Sequence, residues 1–224
     1  MNLLIYGLQR SGTNFIETLI KKRYQVNFLN NTKDRSSLLH KHCRLYKDKE
    51  IIPEPKYNNN IVLDTFDQFE SLLNVIPDYY IIVSKDPYSW YLSYRAWADK
   101  CNWPNVRHHY IEEYNLFYKT FLDFSIQSNK FIFVRYIDFI NDINAQLNEL
   151  EKKMKLKVKL LSRLRSSNIK KVSQSSVFTE SKRAYYLNEE YLNKFNKEDI
   201  QKLDELLDPQ VVSGLGYESR GSLY

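Results

Sequence analysis

Residues Gly7 to Asn14 read GLQRSGTN, with two glycines at the G-x-x-x-x-G spacing of a phosphate-binding loop. The backbone N–H groups of such a turn, with a helix N-terminus behind them, make a site for an anion. Arg10 can add a charge-assisted hydrogen bond, and the hydroxyls of Ser11 and Thr13 can add neutral ones. A nucleotide-hydrolysing loop continues with Lys for the outer phosphates and Ser or Thr for magnesium. Here Thr13 and Asn14 take those two places, so the loop is expected to grip a phosphate but to bind Mg2+ poorly. A second pair of suitable groups lies in IIVSKDPYSWYLSY, Ile81 to Tyr94. Lys85 directly follows an apolar run, and Ser93 stands eight positions later (93 − 85 = 8). Together they suit a second phosphate on the same ligand.

These residues need elements to hold them. Asn2 to Tyr6 (NLLIY) reads as a buried strand, and Phe15, Ile16, Leu19 and Ile20 recur at helical spacing after the loop, with Glu17 and Lys21 as an i,i+4 pair. Gln25 to Leu29, Ile61 to Leu63, Tyr79 to Val83 and Phe131 to Arg135 (FIFVR) read as further strands. Helices are expected over Asp67 to Val75, from Pro87 to about Ala98, over about Arg107 to Ser128, about Asn141 to Lys155 and about Lys197 to Leu207. Asp208-Pro209 closes the last of them. Between about residues 30 and 60 the pattern is irregular, with a short helix near Ser37 to His42. Strands alternating with helices predict one α/β domain over 1–224, a mostly parallel sheet covered on both faces. Lys85 and the loop then share the carboxyl edge, where open α/β sheets bind ligands.

Composition narrows the partners. The net charge is +6 and the pI about 9.0, which favours anionic ligands. Part of that charge lies in KKMKLKVKLLSRLRSSNIKK (Lys152 to Lys171), which equally suits a solvated helix face with snorkelling lysines. No apolar run is long enough to span a membrane. The loop begins too early to leave room for a signal peptide, and Cys43 and Cys101 form neither a disulfide framework nor a zinc spacing. A cytoplasmic location follows as an expectation.

The pair RSGTN (Arg10 to Asn14) and SKDPYSWYLS (Ser84 to Ser93) resembles the sulfotransferases that use 3′-phosphoadenosine-5′-phosphosulfate (PAPS). In that family a loop of the type [KR]SGT holds the 5′-phosphosulfate. A strand ending in R-[DN]-P, with a Ser eight residues beyond its cation, holds the 3′-phosphate. Lys85 departs from the usual Arg, keeping the charge but not the bidentate fork. FVRYIDFIND (Phe133 to Asp142) is similar to a later strand and turn of the family, with Asp138 in place of Glu and given a structural role, and LGY (Leu215 to Tyr217) is like its ending. The resemblance spans nearly the whole chain and implies a P-loop-like fold.

It implies sulfuryl transfer from PAPS to an acceptor hydroxyl or amine, with adenosine 3′,5′-bisphosphate (PAP) as product and no metal. Arg10 would stabilise the leaving phosphate oxygen while Ser11, Gly12, Thr13 and Asn14 hold the 5′-phosphate. Lys85 and Ser93 would hold the 3′-phosphate, closed over by a late basic loop in SVFTESKRAYY with Lys182 and Arg183. For the proton, HKHC (His40 to Cys43) offers His42 as base and Lys41 as its helper, as in some bacterial members; the same residues also suit a solvated basic turn. His108 and His109 are the rival pair, at a helix start facing solvent. Trp90, Trp97 and Tyr94 are near enough to wall an adenine, although Trp90 and Trp97 also suit core packing. The family points to a carbohydrate acceptor and to neither a nucleic acid nor a membrane. The oligomeric state is left open. The competing readings are a metal-dependent P-loop kinase and a non-enzymatic basic nucleotide- or nucleic-acid-binding module. The first lacks the loop lysine, and the second lacks interleaved aromatic and basic strands.

Overall fold

A computed structural model of the chain describes residues 1–30, 32, 34, 37–45, 60–61, 63, 65–102, 108–159 and 179–220. The apolar runs at Asn2–Tyr6 (β1) and Tyr79–Ser84 (β5) are continuous because both of their faces are buried. Leu4, Tyr6, Tyr80 and Ile82 pack into one core, while Leu3, Ile5, Ile81 and Val83 pack into another on the opposite face. That alternation is the two-residue period of a strand. Four strands pair in the order β2-β1-β5-β6, all parallel, with β2 at Asn27–Phe28 and β6 at Phe131–Arg135. The result is a single α/β domain with helices on both faces.

Thr13–Arg23 (α1), Tyr136–Asn141 (α5) and Ile143–Met154 (α6) supply Ile16, Phe139 and Leu147 to one core. Phe66–Leu73 (α2), Pro87–Lys100 (α3), Tyr110–Gln127 (α4), Lys197–Leu206 (α8) and Pro209–Gly214 (α9) cover the other face. That second core is aromatic: Tyr6 stacks on Phe121 at 5.3 Å between ring centroids, and Tyr80 on Phe131 at 4.7 Å.

Several elements differ from expectation for local reasons. Residues 38–42 form turns and no helix, leading to a two-residue strand, Arg44–Leu45 (β3), paired in parallel with Asn60–Ile61 (β4). The expected helix over residues 141–155 is α6, begun by the Asp142 side chain, which accepts from Ala145 N at 2.9 Å. A further short helix that the sequence pattern did not predict, α5, stands just before it. The expected basic loop is a helix, Glu180–Leu187 (α7), capped by Thr179, whose hydroxyl accepts from Lys182 N at 3.2 Å. Asp208-Pro209 opens α9 as well as closing α8. Most of the basic stretch, residues 160–171, lies outside the described residues, as do 46–59 and 103–107. No helix among the described residues is long and apolar enough to cross a membrane.

Candidate functional site

The loop between β1 and α1 is tightly packed beneath. A Cβ on Gly7 would meet Ser11 Oγ at 2.6 Å and the Val83 carbonyl oxygen at 2.7 Å, so no other residue fits there without displacement. Arg10 and Gly12 both adopt positive φ, 71° and 98°. Such left-handed residues within a turn direct backbone N–H groups inward and make an anion-binding concavity. The α1 N-terminus carries no side-chain cap and no acidic residue in its first turn. Phe15 N and Ile16 N donate to the Gly12 carbonyl, while the N–H groups of Thr13 and Asn14 and the helix dipole face an anion. Ser11 differs from expectation: its side chain is buried against Gly7 and its N–H is spent on the Leu8 carbonyl at 3.1 Å, so it props the turn. The Gln9 carbonyl accepts from Trp90 Nε1 at 2.9 Å, which gives the buried tryptophan a bracing role. Trp97 lies under the Arg10 guanidinium, 5.2 Å from carbon to ring centroid.

β1 and β5 are parallel neighbours, with Tyr6 opposite Ile82, so the loop and Lys85 leave the sheet side by side. Asp86 caps α3 through Ser89 N at 2.9 Å, and Pro87 occupies its first turn. This register brings Ser93 back toward the strand end, and Lys85 Nζ donates to Ser93 Oγ at 2.7 Å. Ser93 Oγ in turn donates to the Ser89 carbonyl at 2.8 Å. Lys85 is only 3% exposed, and among the described residues it makes no ion pair with a carboxylate. Burial first, and then Arg10 and Lys182, push its pKa down to about 7 against the pull of Asp86. Burial and then Arg10 also lower the Lys182 pKa. Three cations from separate elements therefore crowd one place, an arrangement that an anion would relieve. Arg183 is directed elsewhere: its guanidinium donates to the Ile140 and Asn141 carbonyls at 3.2 and 2.7 Å and fastens α7 to the end of α5.

Lys41 and His42 lie directly on the loop. Gly7 N donates to the Lys41 carbonyl at 3.1 Å, and His42 Nδ1 donates to the Gly7 carbonyl at 2.6 Å. That bond fixes the tautomer of the neutral ring and leaves the lone pair on Nε2. Burial, aided by Arg44, His40 and Lys41, pushes the His42 pKa down to about 3 despite the Gly7 bond. The ring is a neutral acceptor, and a weak base until negative charge arrives beside it. Lys41 Nζ reaches Glu17 Oε2 at 3.0 Å and also Asn14 Oδ1, so its charge is already opposed by a carboxylate. Glu17 holds Lys21 too, at 2.5 Å; burial works against its charge, but the two lysines outweigh it and lower its pKa. With Oδ1 of Asn14 held, its amide N–H groups remain as donors.

Two features of the site have no counterpart in the motifs. Beneath the loop, fully buried Glu113 accepts from Tyr94 Oη at 2.9 Å and faces Arg44 Nη2 at 3.4 Å. Arg44 also donates to Gln9 Oε1 at 2.6 Å and to the His42 carbonyl at 3.1 Å. His108 joins this group through Glu113 Oε1 at 2.9 Å and does not face solvent, while His109 caps α4. The second feature is Tyr186, whose hydroxyl accepts from Lys85 Nζ at 3.1 Å. A signal for it exists in the chain: in a helix it stands one turn beyond Lys182.

No protein-family model matches this chain, and no curated protein does. Among solved structures it is similar to a crystal structure of retinol dehydratase in complex with androsterone and the inactive cofactor PAP. The identity is 12%, the match covers 96% of this chain and 69% of the other, and the TM-score is 0.34. A likeness of that degree carries no argument about activity.

Proposed function

We propose that the protein is a sulfotransferase that moves a sulfuryl group from PAPS to an acceptor hydroxyl or amine. The observation that carries this reading is the buried Lys85 ammonium, bonded to Ser93 and paired with no carboxylate among the described residues, beside an uncapped Gly-rich loop. Two anion sites next to each other on one sheet edge suit a nucleotide with phosphates at both ends of its ribose. Loop amides, Gly12, Thr13 and the Asn14 amide would receive the 5′-phosphate, with Ser11 holding the turn in shape. Lys85, Ser93 and Lys182 would receive the 3′-phosphate, with Arg183 securing the helix that carries Lys182. Bound PAPS supplies an activated sulfuryl group on a phosphate leaving group. Arg10, stacked on Trp97, places positive charge where that leaving oxygen develops its charge.

His42 is the proposed base, presenting Nε2 while Nδ1–H stays on Gly7. Lys41, opposed by Glu17, orients Asn14 and keeps positive charge near the transferring group. His42→Asn retains a donor for the Gly7 carbonyl but has no Nε2. It is expected to lower turnover by about 10²–10⁴ with PAP affinity little changed; near-normal turnover would remove His42 from the role. The acceptor is proposed to be a carbohydrate, on the family resemblance alone.

Thermal unfolding tests the reading directly. PAP without magnesium, at a hundred times its Kd, should raise the unfolding free energy by about 2.7 kcal/mol. Stabilisation by ATP only with magnesium would point to a kinase, and by oligonucleotides alone to a binding module. Sulfuryl transfer from PAPS to a glycan panel then identifies the acceptor.

A further inference from the structure

Lysine has no fork: a single ammonium meets a phosphate as a point charge, whereas arginine meets two oxygens at once. The arrangement around Lys85 supplies what is missing. Its Nζ has three N–H groups, one directed to Ser93 Oγ at 2.7 Å and one to Tyr186 Oη at 3.1 Å. The third remains for a ligand. Tyr186 Oη accepts from Lys85 and also lies within hydrogen-bond reach of Ser93 Oγ. Ser93 gives its own proton to the Ser89 carbonyl, so Ser93 is the acceptor that a phosphate would replace for the Tyr186 proton. Burial first raises the Tyr186 pKa, so the hydroxyl stays a donor at neutral pH.

The ring is held firmly. Its edge meets Tyr136 at 5.4 Å and Tyr185 at 5.2 Å, and Lys85 Nζ stands 4.6 Å from its centroid. Tyr136 in turn lies directly over Gly12, whose added Cβ would be 2.4 Å from the ring. The lysine site and the glycine loop are thus joined through two tyrosines. α7 sets the direction: Lys182 and Tyr186 are one turn apart on the same face, while Arg183 fastens the other side to α5.

We propose that Lys85 and Tyr186 act together as a two-pronged donor for a phosphate monoester, making Tyr186 a specificity-determining residue for the nucleotide's 3′-phosphate. This rests on the sulfotransferase reading above. Tyr186→Phe removes one oxygen and keeps the ring. By calorimetry with two probes, adenosine 3′,5′-bisphosphate and adenosine 5′-phosphate, the wild type should prefer the bisphosphate. Tyr186→Phe should weaken the bisphosphate about tenfold, the scale of one hydrogen bond to a charged group, with the 5′-phosphate within twofold and the melting temperature unchanged. A full preference retained by Tyr186→Phe overturns the proposal while leaving the sulfotransferase reading intact. Tighter bisphosphate binding by the variant also overturns it, because the tyrosine is then a plug. No preference in the wild type removes the nucleotide reading and this proposal together. Lys85→Arg added to Tyr186→Phe should recover most of the loss, since a guanidinium carries its own second donor. A folded double variant without recovery overturns the two-donor account.

Discussion

Lys85 is the residue on which acidity and ligand binding meet. Its pKa falls from an ordinary lysine value to about 7 in the folded protein. Between that value and the ordinary lysine range, near 10.4, the unfolded chain holds a proton that the folded chain has released. Stability therefore rises with pH through this window, and below it the full cost of a buried ammonium applies. A phosphate needs the charged form, so affinity for PAP should fall as pH rises above 7, with proton uptake on binding. The two slopes have opposite signs, and Lys85→Gln should flatten both; urea unfolding and calorimetry across pH 6.5–9 read them separately. Gly12 makes a second prediction at this scale. Gly12→Ala forces a side chain onto a φ of 98° and into the Tyr136 ring. The expected cost is about 1–3 kcal/mol in urea unfolding. Tyr136→Ala should recover only the steric part.

At the scale of elements, the site depends on two supports of different kinds. The first is the polar group under the loop, where β3 and α4 meet through Arg44 and Glu113. Glu113→Gln removes the carboxylate facing a buried guanidinium and should cost about 3–5 kcal/mol, measured by denaturant. Arg44→Met combined with Glu113→Leu should recover much of that loss, yet leave Gln9 without its side-chain partner and the loop less well positioned. The second support is α7. Thr179→Ala removes its cap and should cost about 1 kcal/mol locally, loosening Lys182 and Tyr186. PAP affinity should drop more than global stability, a contrast that calorimetry and urea unfolding expose together. These supports also mark what is legible in the chain and what is not. Lys85 and Ser93 are legible because Asp86 and Pro87 start the helix locally, which fixes the register between them. Arg44 and Glu113 are 69 positions apart and meet only through tertiary packing. Tyr186 is hidden as long as Thr179 reads as part of a loop rather than as a helix cap. The strands of the four-stranded sheet are legible to within a few residues, since burial of the central ones on both faces leaves continuous apolar runs. The two-residue β3 has no such run and is not legible.

At the scale of the molecule, one sheet edge gathers cations from distant parts of the chain: Arg10 from the loop, Lys85 from β5 and Lys182 from α7. Burial is the first cause of the lowered pKa at Lys85 and Lys182, and repulsion from Arg10 adds to both. The ligand-free fold bears this repulsion, and an anion turns it into attraction, so binding strength and unliganded stability oppose each other. Lys182→Gln should therefore keep or raise the melting temperature of the free protein while reducing its stabilisation by PAP. Simple anions should show the same sign. In sodium sulfate and sodium chloride at equal ionic strength, sulfate strengthens folding of any protein by exclusion from its surface. The site contributes beyond that general effect, and Lys85→Gln isolates it. The excess melting temperature in sulfate over chloride should be larger for the wild type than for the variant. Equal excesses would mean that Lys85 does not belong to an anion site, and the two-phosphate clamp would lose its physical basis.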